Sequence, residues 1–188
     1  MHSEKTKKLA GSALLAALAY ISLFFLRISI IASAPFLRFD IKDVFIAIAG
    51  LLFGPGYALL AGVCVSVLQI LTVSEYGLIG LIMNVLSVSA FVLPVSLFYQ
   101  HSRTKKALIA GFVVSCITMV TAMLLWNYLI APLYMGVPRD VIKGMLLPAF
   151  LPFNAIKSVL NAVITYIVFI CIKKNRIAAA AQGKQDQW

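Results

Sequence analysis

The chain has 188 residues, 62% of them apolar and 12% charged, with a mean hydropathy of +1.01. A soluble domain is about 25% charged, so this chain has too little polar surface to cover a globule, and a water-soluble monomer is excluded. The net charge of +10, from 16 Lys+Arg against 6 Asp+Glu, falls in short clusters between apolar runs, the pattern of membrane topology signals rather than of a nucleic-acid interface.

A membrane span needs roughly 20 apolar residues, so six spans use roughly 120 and leave no room for a sizeable extramembrane domain. The first run covers residues 9 to 26, between Lys5, Lys7 and Lys8 on one side and Arg27 on the other. Its basic start and the later Ala32-Ser33-Ala34 imitate a cleavable signal peptide. The run is longer than an h-region of about 7 to 15 residues and Arg27 separates it from the Ala-x-Ala, so it is read as a retained span. Residues 27 to 42 mix cations with apolar side chains, which predicts a loop folded down onto the helices. The second run, 43 to 53, is short and stops at Gly54-Pro55-Gly56, which breaks the helix and reverses the chain.

The third run covers 57 to 73 and turns at Ser74-Glu75-Tyr76-Gly77. The fourth covers 78 to 98, with Pro94 as a kink near its end. After the basic connection His101 to Lys106, the fifth covers 107 to 131 and is expected to end at Pro132. A polar connection carrying Arg139, Asp140 and Lys143 leads to the sixth, 146 to 172. The expected architecture is an all-α integral membrane protein with six transmembrane helices in one domain, residues 1–176, and a disordered tail, 177–188.

Six spans put both termini on one side. That side carries Lys5, Lys7, Lys8, Arg103, Lys105, Lys106, Lys173, Lys174, Arg176 and Lys184, against Arg27, Arg38, Lys42, Arg139 and Lys143 on the other. The excess predicts cytoplasmic N and C termini in a multi-pass cell-membrane protein.

No G-x-x-x-x-G-K-[ST] pattern for nucleotide phosphates occurs. His2 and His101 both lie outside the spans, so no imidazole is placed for catalysis or metal binding. Cys64, Cys116 and Cys171 stand alone in apolar runs and read as buried small hydrophobes. The spans hold no carboxylate pair of the kind a proton or sodium relay needs.

The start of the sixth span is different. Asn154, Lys157 and Asn161 are spaced i, i+3 and i+7, which stacks them on one helix face. Lys157 lies about ten residues, or roughly 15 Å, from the outer end. A lysine at that depth costs at least about 2.5 kcal/mol against lipid, so it faces a cavity or a partner. Two readings stand: a structural lysine that snorkels or pairs with a carboxylate, and a donor to the oxygens or nitrogens of a bound ligand. Asn84 and Asn127 also lie in the outer halves of their spans, either as interhelical glue or as ligand contacts. Phe36 and Phe39 from the first loop, with Tyr128 and Tyr134, offer the walls of a slot for a planar heterocycle. On the first helix, Ala13 and Ala17 form a small-xxx-small pair, either for internal packing or for docking a separate membrane subunit.

The ordered set Phe36-Leu37-Arg38-Phe39-Asp40 with Asp43, Leu52-Phe53-Gly54-Pro55, Gly77-Leu78-Ile79-Gly80 with Met83-Asn84, Asn127-Tyr128 followed by Pro132-Leu133-Tyr134, and Leu151-Pro152-Phe153-Asn154 with Lys157 and Asn161 resembles the riboflavin-specific S component of energy-coupling factor (ECF) transporters. The resemblance runs from about residue 9 to 176 and rests on order and spacing rather than on any one piece. It implies the S-component fold and no enzymatic activity. It further implies capture of riboflavin, as cargo rather than cofactor, near the outer face under the first loop. The resemblance implies substrate contacts from Asn127, Asn154 and Lys157, and from the stretch Phe36, Leu37, Arg38, Phe39 and Asp40. Ala13 and Ala17 match the surface that docks onto a transmembrane T component, which two cytoplasmic ATPases complete. The nearest rival is an S component for another vitamin or an FMN-like ligand, with Lys157 weighing against a cationic vitamin such as thiamin. A membrane enzyme needs a nucleophile, metal cluster or acid/base pair, and the sequence offers none.

Overall fold

The computed structural model describes residues 2–26, 28–29, 34, 36–72 and 77–185. Arg27, Ala32, Ser33, Glu75 and residues 186–188 lie outside the described residues. Among the described residues there are seven α-helices: α1 (His2–Phe25), α2 (Lys42–Phe53), α3 (Pro55–Thr72), α4 (Gly77–Ser102), α5 (Lys105–Met135), α6 (Arg139–Met145) and α7 (Leu151–Gln185). A small antiparallel hairpin, β1 (Ile28–Ser29) with β2 (Arg38–Phe39), joins α1 to α2.

The molecule is apolar on its outside, with Leu71, Leu133 and Leu147 each more than 70% exposed. Such a surface is stable only against lipid. Among the described residues, five helical segments are long and apolar enough to cross a membrane. The sixth, α2, has 12 residues and is about 18 Å long. It is wrapped instead, with Ile46, Ala47, Ile48 and Ala49 all buried, and packs on α1, α3, α4 and α7. Gln100 donates its side-chain amide to the carbonyls of Gly50 and Leu51 at 3.3 and 2.9 Å, capping the end of α2 just before the break at Gly54.

Pro94 lies inside α4 and cannot donate to the carbonyl four residues earlier, that of Ala90. Thr118 of α5 supplies the missing donor, its hydroxyl reaching the Ala90 carbonyl at 2.6 Å. Ser115 accepts from the Val95 amide at 3.0 Å. The sequence read Pro94 as a helix kink, and the structure shows how the neighbouring helix fills the gap. Close approach is secured by Gly111, where an added Cβ stands 2.9 Å from the Cα of Val95.

Two boundaries differ from the sequence expectation. Pro132 does not end α5, which continues to Met135 and stops at Gly136, left-handed with φ 65° and its amide on the Pro132 carbonyl. A proline in the last turn forfeits only one bond, and the glycine is the stronger stop. The expected polar connection around Arg139, Asp140 and Lys143 is helical, and α6 runs through a π-helical turn, Leu146–Phe150, straight into α7. Pro148 lies within this turn and Pro152 two residues after it. Each lacks a donor, which favours a shifted hydrogen-bond register there. The α7 helix passes residue 176 and extends to Gln185. Cys64 and Cys171 are exposed on the lipid-facing surface and Cys116 is half-buried, so the expectation of three buried cysteines is corrected: as weakly polar hydrophobes they serve equally well against lipid.

Candidate functional site

The π-helical turn leaves the Phe150 carbonyl within reach of Asn154, whose side-chain amide donates to it at 2.8 Å. That bond orients Asn154 inward at the head of α7, and Lys157 follows one turn later. The same local device recurs on the facing helices. Asn127 donates to the Met123 carbonyl at 2.7 Å and Asn84 to the Gly80 carbonyl at 2.9 Å. In each case the i−4 bond uses one amide hydrogen, and the second donor and the oxygen remain to face the interior. For Asn127 the oxygen also accepts the Tyr134 hydroxyl at 3.1 Å.

These side chains meet in a cavity of about 110 Å³ bounded by α3, α4, α5, α7 and the first loop. Of the sequence-predicted contacts, Phe36, Leu37, Arg38, Asp40, Asn84, Asn127, Asn154 and Lys157 line it. Phe39 does not, because its place in β2 opposite Ile28 turns it to the far side of the strand from its neighbours. Phe36 packs against Phe150 with ring centroids 6.0 Å apart and forms part of the cover. Tyr134 is on the wall, whereas Tyr128 lies under Arg139, whose guanidinium is 5.5 Å from the ring centroid. Gln69, Gly80, Met83, Ser87, Met123 and Phe153 complete the lining; none was named from sequence as a contact, since apolar or mildly polar residues at helical spacing look the same in a core.

The lysine is not alone. Lys157 Nζ is 3.0 Å from Asp40 Oδ2 and 3.8 Å from Asp43 Oδ2, and Lys42 Nζ is 3.2 Å from Asp40 Oδ1 and 3.6 Å from Asp43 Oδ1. Lys42 and Asp43 are fully buried, at 0% exposure. The sequence reading placed Lys42 among outer loop cations and found no carboxylate for Lys157 within the spans. Both points are corrected: the carboxylates come from the loop and the first turn of α2, which the fold lowers to the level of Lys157. A signal was present in Asp40-x-Lys42-Asp43, three charges in four residues beside an apolar run, in a chain with only 6 acids. Two cations against two anions make the cluster neutral, the condition under which charges persist in a low dielectric. Burial disfavours the ionised form of Asp40, but Lys157 and then Lys42 outweigh it and hold the loop carboxyl below its ordinary value.

Beneath Lys157, Asn161 is fully buried and neither of its amide atoms has a hydrogen-bond partner. Both oxygens of Asp43 lack a hydrogen bond and are held by charge alone. On the opposite wall the Gln69 oxygen is also unpartnered. Among the described residues no group of His, Cys, Asp and Glu is arranged to hold a metal. The wall therefore combines amide donors and acceptors with the charge-balanced lysine–aspartate cluster, under an aromatic cover, an arrangement suited to binding.

Ala13 and Ala17 lie far from this cavity along the chain, on the exposed face of α1, while Ala19 of the same helix is buried. Of the two readings of this pair, internal packing is excluded by that exposure.

The family described as ECF transporter, substrate-specific component, matches residues 7–169. The chain is 29% identical over 182 residues to the riboflavin transporter FmnP of Bacillus subtilis, covering 90% of this chain and 93% of that one. It is 25% identical over 178 residues to the riboflavin transporter RibU of Staphylococcus aureus, covering 90% and 92%. A solved structure described as the S component of a bacterial ECF transporter superposes with a TM-score of 0.76 at 24% identity, covering 90% of this chain and 97% of that one. With a helical membrane fold matched along nearly its whole length, this chain belongs to the substrate-specific components of ECF transporters, a family of bacterial multi-pass transport subunits rather than enzymes.

Proposed function

We propose that this chain captures riboflavin at the outer face of the membrane and delivers it to an ATP-driven module made of a transmembrane T component and two cytoplasmic ATPases. The observation that carries the reading is the convergence of Asn84, Asn127, Asn154 and Lys157 from three helices on one cavity beneath Phe36. A flavin presents a planar apolar face, a pyrimidine edge of alternating donors and acceptors, and a polyhydroxyl chain. Amides satisfy the edge in both directions, an ammonium donates to its oxygens, and aromatic and Met side chains pack the ring. Relatives at 25 to 29% identity carry the name riboflavin transporter, which favours the same cargo. Riboflavin is cargo here and not a resident cofactor.

The cavity of about 110 Å³ is smaller than the roughly 300 Å³ at which pockets for ligands of this size begin. Admission of the flavin therefore requires the loop bearing Phe36 to Asp40 to move outward. The argument that Lys157 repels a cationic vitamin loses weight, because Asp40 and Asp43 neutralise it; discrimination falls to the amides and the ring slot. For delivery, the exposed Ala13 and Ala17 leave a shallow groove on α1 where another helix can approach closely. The test is titration of the purified, flavin-stripped chain with riboflavin, followed by quenching of flavin fluorescence. Saturable quenching that excess thiamin does not compete is expected. Absence of quenching, with the helical fold intact by circular dichroism, refutes the cargo assignment.

A further inference from the structure

A second concavity lies between α4, α5 and α7, at the end of the bundle that carries both termini and separate from the capture cavity. It has a volume of about 320 Å³. Its walls are apolar, with Leu108, Phe169 and Ile170 along the groove and Tyr99 at its base, packed edge-on against Phe169 at 5.0 Å. Lys105, Lys173 and Lys174 stand around it. Lys173, itself exposed, leans onto Tyr99: its Nζ is 3.4 Å from the Tyr99 hydroxyl and 5.8 Å from the centre of that ring.

We propose that this groove binds an anionic phospholipid of the inner leaflet, its phosphate held by Lys105, Lys173 and Lys174 and an acyl chain laid along Ile170 and the methylene stems of the lysines. Charge complementarity names the headgroup. Among the described residues none of the three lysines forms an ion pair, and the segments 101–106 and 171–176 contain no acid. Three uncompensated cations at one spot repel one another, and an anion relieves that repulsion. Lys105 also opens α5, so the positive end of a 31-residue helix adds to the same field. The apolar lining points to a lipid rather than a soluble anion: half-buried Ile170 and the lysine stems reach the surface, with Leu108 and Phe169 behind them. The cation excess around both termini places this end in the cytoplasmic leaflet, where anionic lipids attract basic clusters at about 1 kcal/mol per Lys.

The experiment is native mass spectrometry of the full chain released from nanodiscs of equal parts phosphatidylglycerol and phosphatidylcholine. The wild type should retain phosphatidylglycerol over phosphatidylcholine by about tenfold or more. The triple variant Lys105→Gln, Lys173→Gln, Lys174→Gln should lose the preference, whereas Lys5→Gln, Lys7→Gln, Lys8→Gln, with the same loss of charge, should keep it. Ile170→Trp, which fills the groove and leaves the lysines, should also lower retention. Equal retention of both lipids by the wild type overturns the proposal, as does an equal loss in both triple variants or displacement of the lipid by soluble glycerol phosphate at matching concentration. Riboflavin quenching by each variant reports folding and capture separately, so failure of the lipid site and failure of the cargo assignment are distinguishable.

Discussion

Replacing Lys157 by Met removes an ammonium that stands 3.0 Å from Asp40 and 3.8 Å from Asp43. Two buried carboxylates are then left to Lys42 alone. Uncompensated buried charge costs about 3–5 kcal/mol, and loss of a charge-assisted bond to a ligand costs about 1.5–3 kcal/mol, or roughly 10- to 150-fold in Kd. In the single variant the two effects are entangled, since a destabilised site also binds poorly. Asp40→Asn combined with Lys157→Met separates them: one charge of each sign is removed, the side chains keep their approximate volumes, and the Lys42 to Asp43 pair at 3.6 Å remains balanced. The double variant should regain most of the thermal stability lost by Lys157→Met, yet bind riboflavin about 10- to 150-fold more weakly than the wild type. Thermal denaturation in detergent and fluorescence quenching read the two quantities. Wild-type affinity in the double variant refutes the reasoning, because Lys157 would then act only by neutralising Asp40.

Thr118→Val should destabilise the chain by about 1–3 kcal/mol by orphaning the Ala90 carbonyl, and Pro94→Ala in the same chain should restore most of that loss, measured by denaturant unfolding. Gly111→Leu should lower thermal stability by about 1–3 kcal/mol or more, since its Cβ meets the α4 backbone rather than a movable side chain. Ala17→Trp should leave riboflavin quenching unchanged and abolish vitamin uptake by cells; loss of both means misfolding. Asp40, whose ordinary value is 3.8, titrates lower in the folded chain than in the unfolded one. Its stabilising contribution is therefore full above about pH 4 and is lost as pH falls further towards the folded value. Asp40→Asn should flatten the acid limb of the Tm against pH curve, and an unchanged limb assigns acid lability elsewhere.

The membrane class and most span positions were legible because hydropathy is a local property: a run of about 20 apolar residues has one favourable solvent. Asn154 and Lys157 were legible for the same reason, as polar groups at a depth where lipid does not tolerate them. What the sequence hid is tertiary. The partners of Lys157 sit 117 positions away for Asp40, in a loop whose descent onto the helices is not written in any local pattern. The helical state of residues 139–145 was masked by Pro138 and Gly144, which read as loop formers, although Pro138 immediately before Arg139 suits a helix start. Phe39 was taken with Phe36 because both are aromatic, yet Phe36 lies in the turn before β2 and Phe39 within β2, facing away from its cavity-lining neighbours Arg38 and Asp40.

Capture and docking are joined by one stretch of chain. The α1 helix bears the exposed Ala13 and Ala17 and packs on α2 and α3, while the cavity is walled chiefly by α4, α5 and α7. The two regions meet through α2 and α3, which pack on α1 and reach the site with Asp43 and Gln69, and through the hairpin between α1 and α2, whose residues Phe36 to Asp40 cover the cavity and whose Asp40 grips Lys157 at 3.0 Å. A rigid coupling needs an element with two arrangements that both sites bias. The hairpin is placed to serve as one: Asp40 holds it on Lys157 over the cavity, and any ligand that bonds Lys157 must compete with Asp40 for the same ammonium. Linkage then makes the effect reciprocal. If docking of the T component alters the hairpin through α1, riboflavin affinity measured with the module bound should differ from that of the isolated chain, and Asp40→Asn should shrink the difference. Identical affinities in both states mean that α1 carries docking alone and transmits nothing to the cavity.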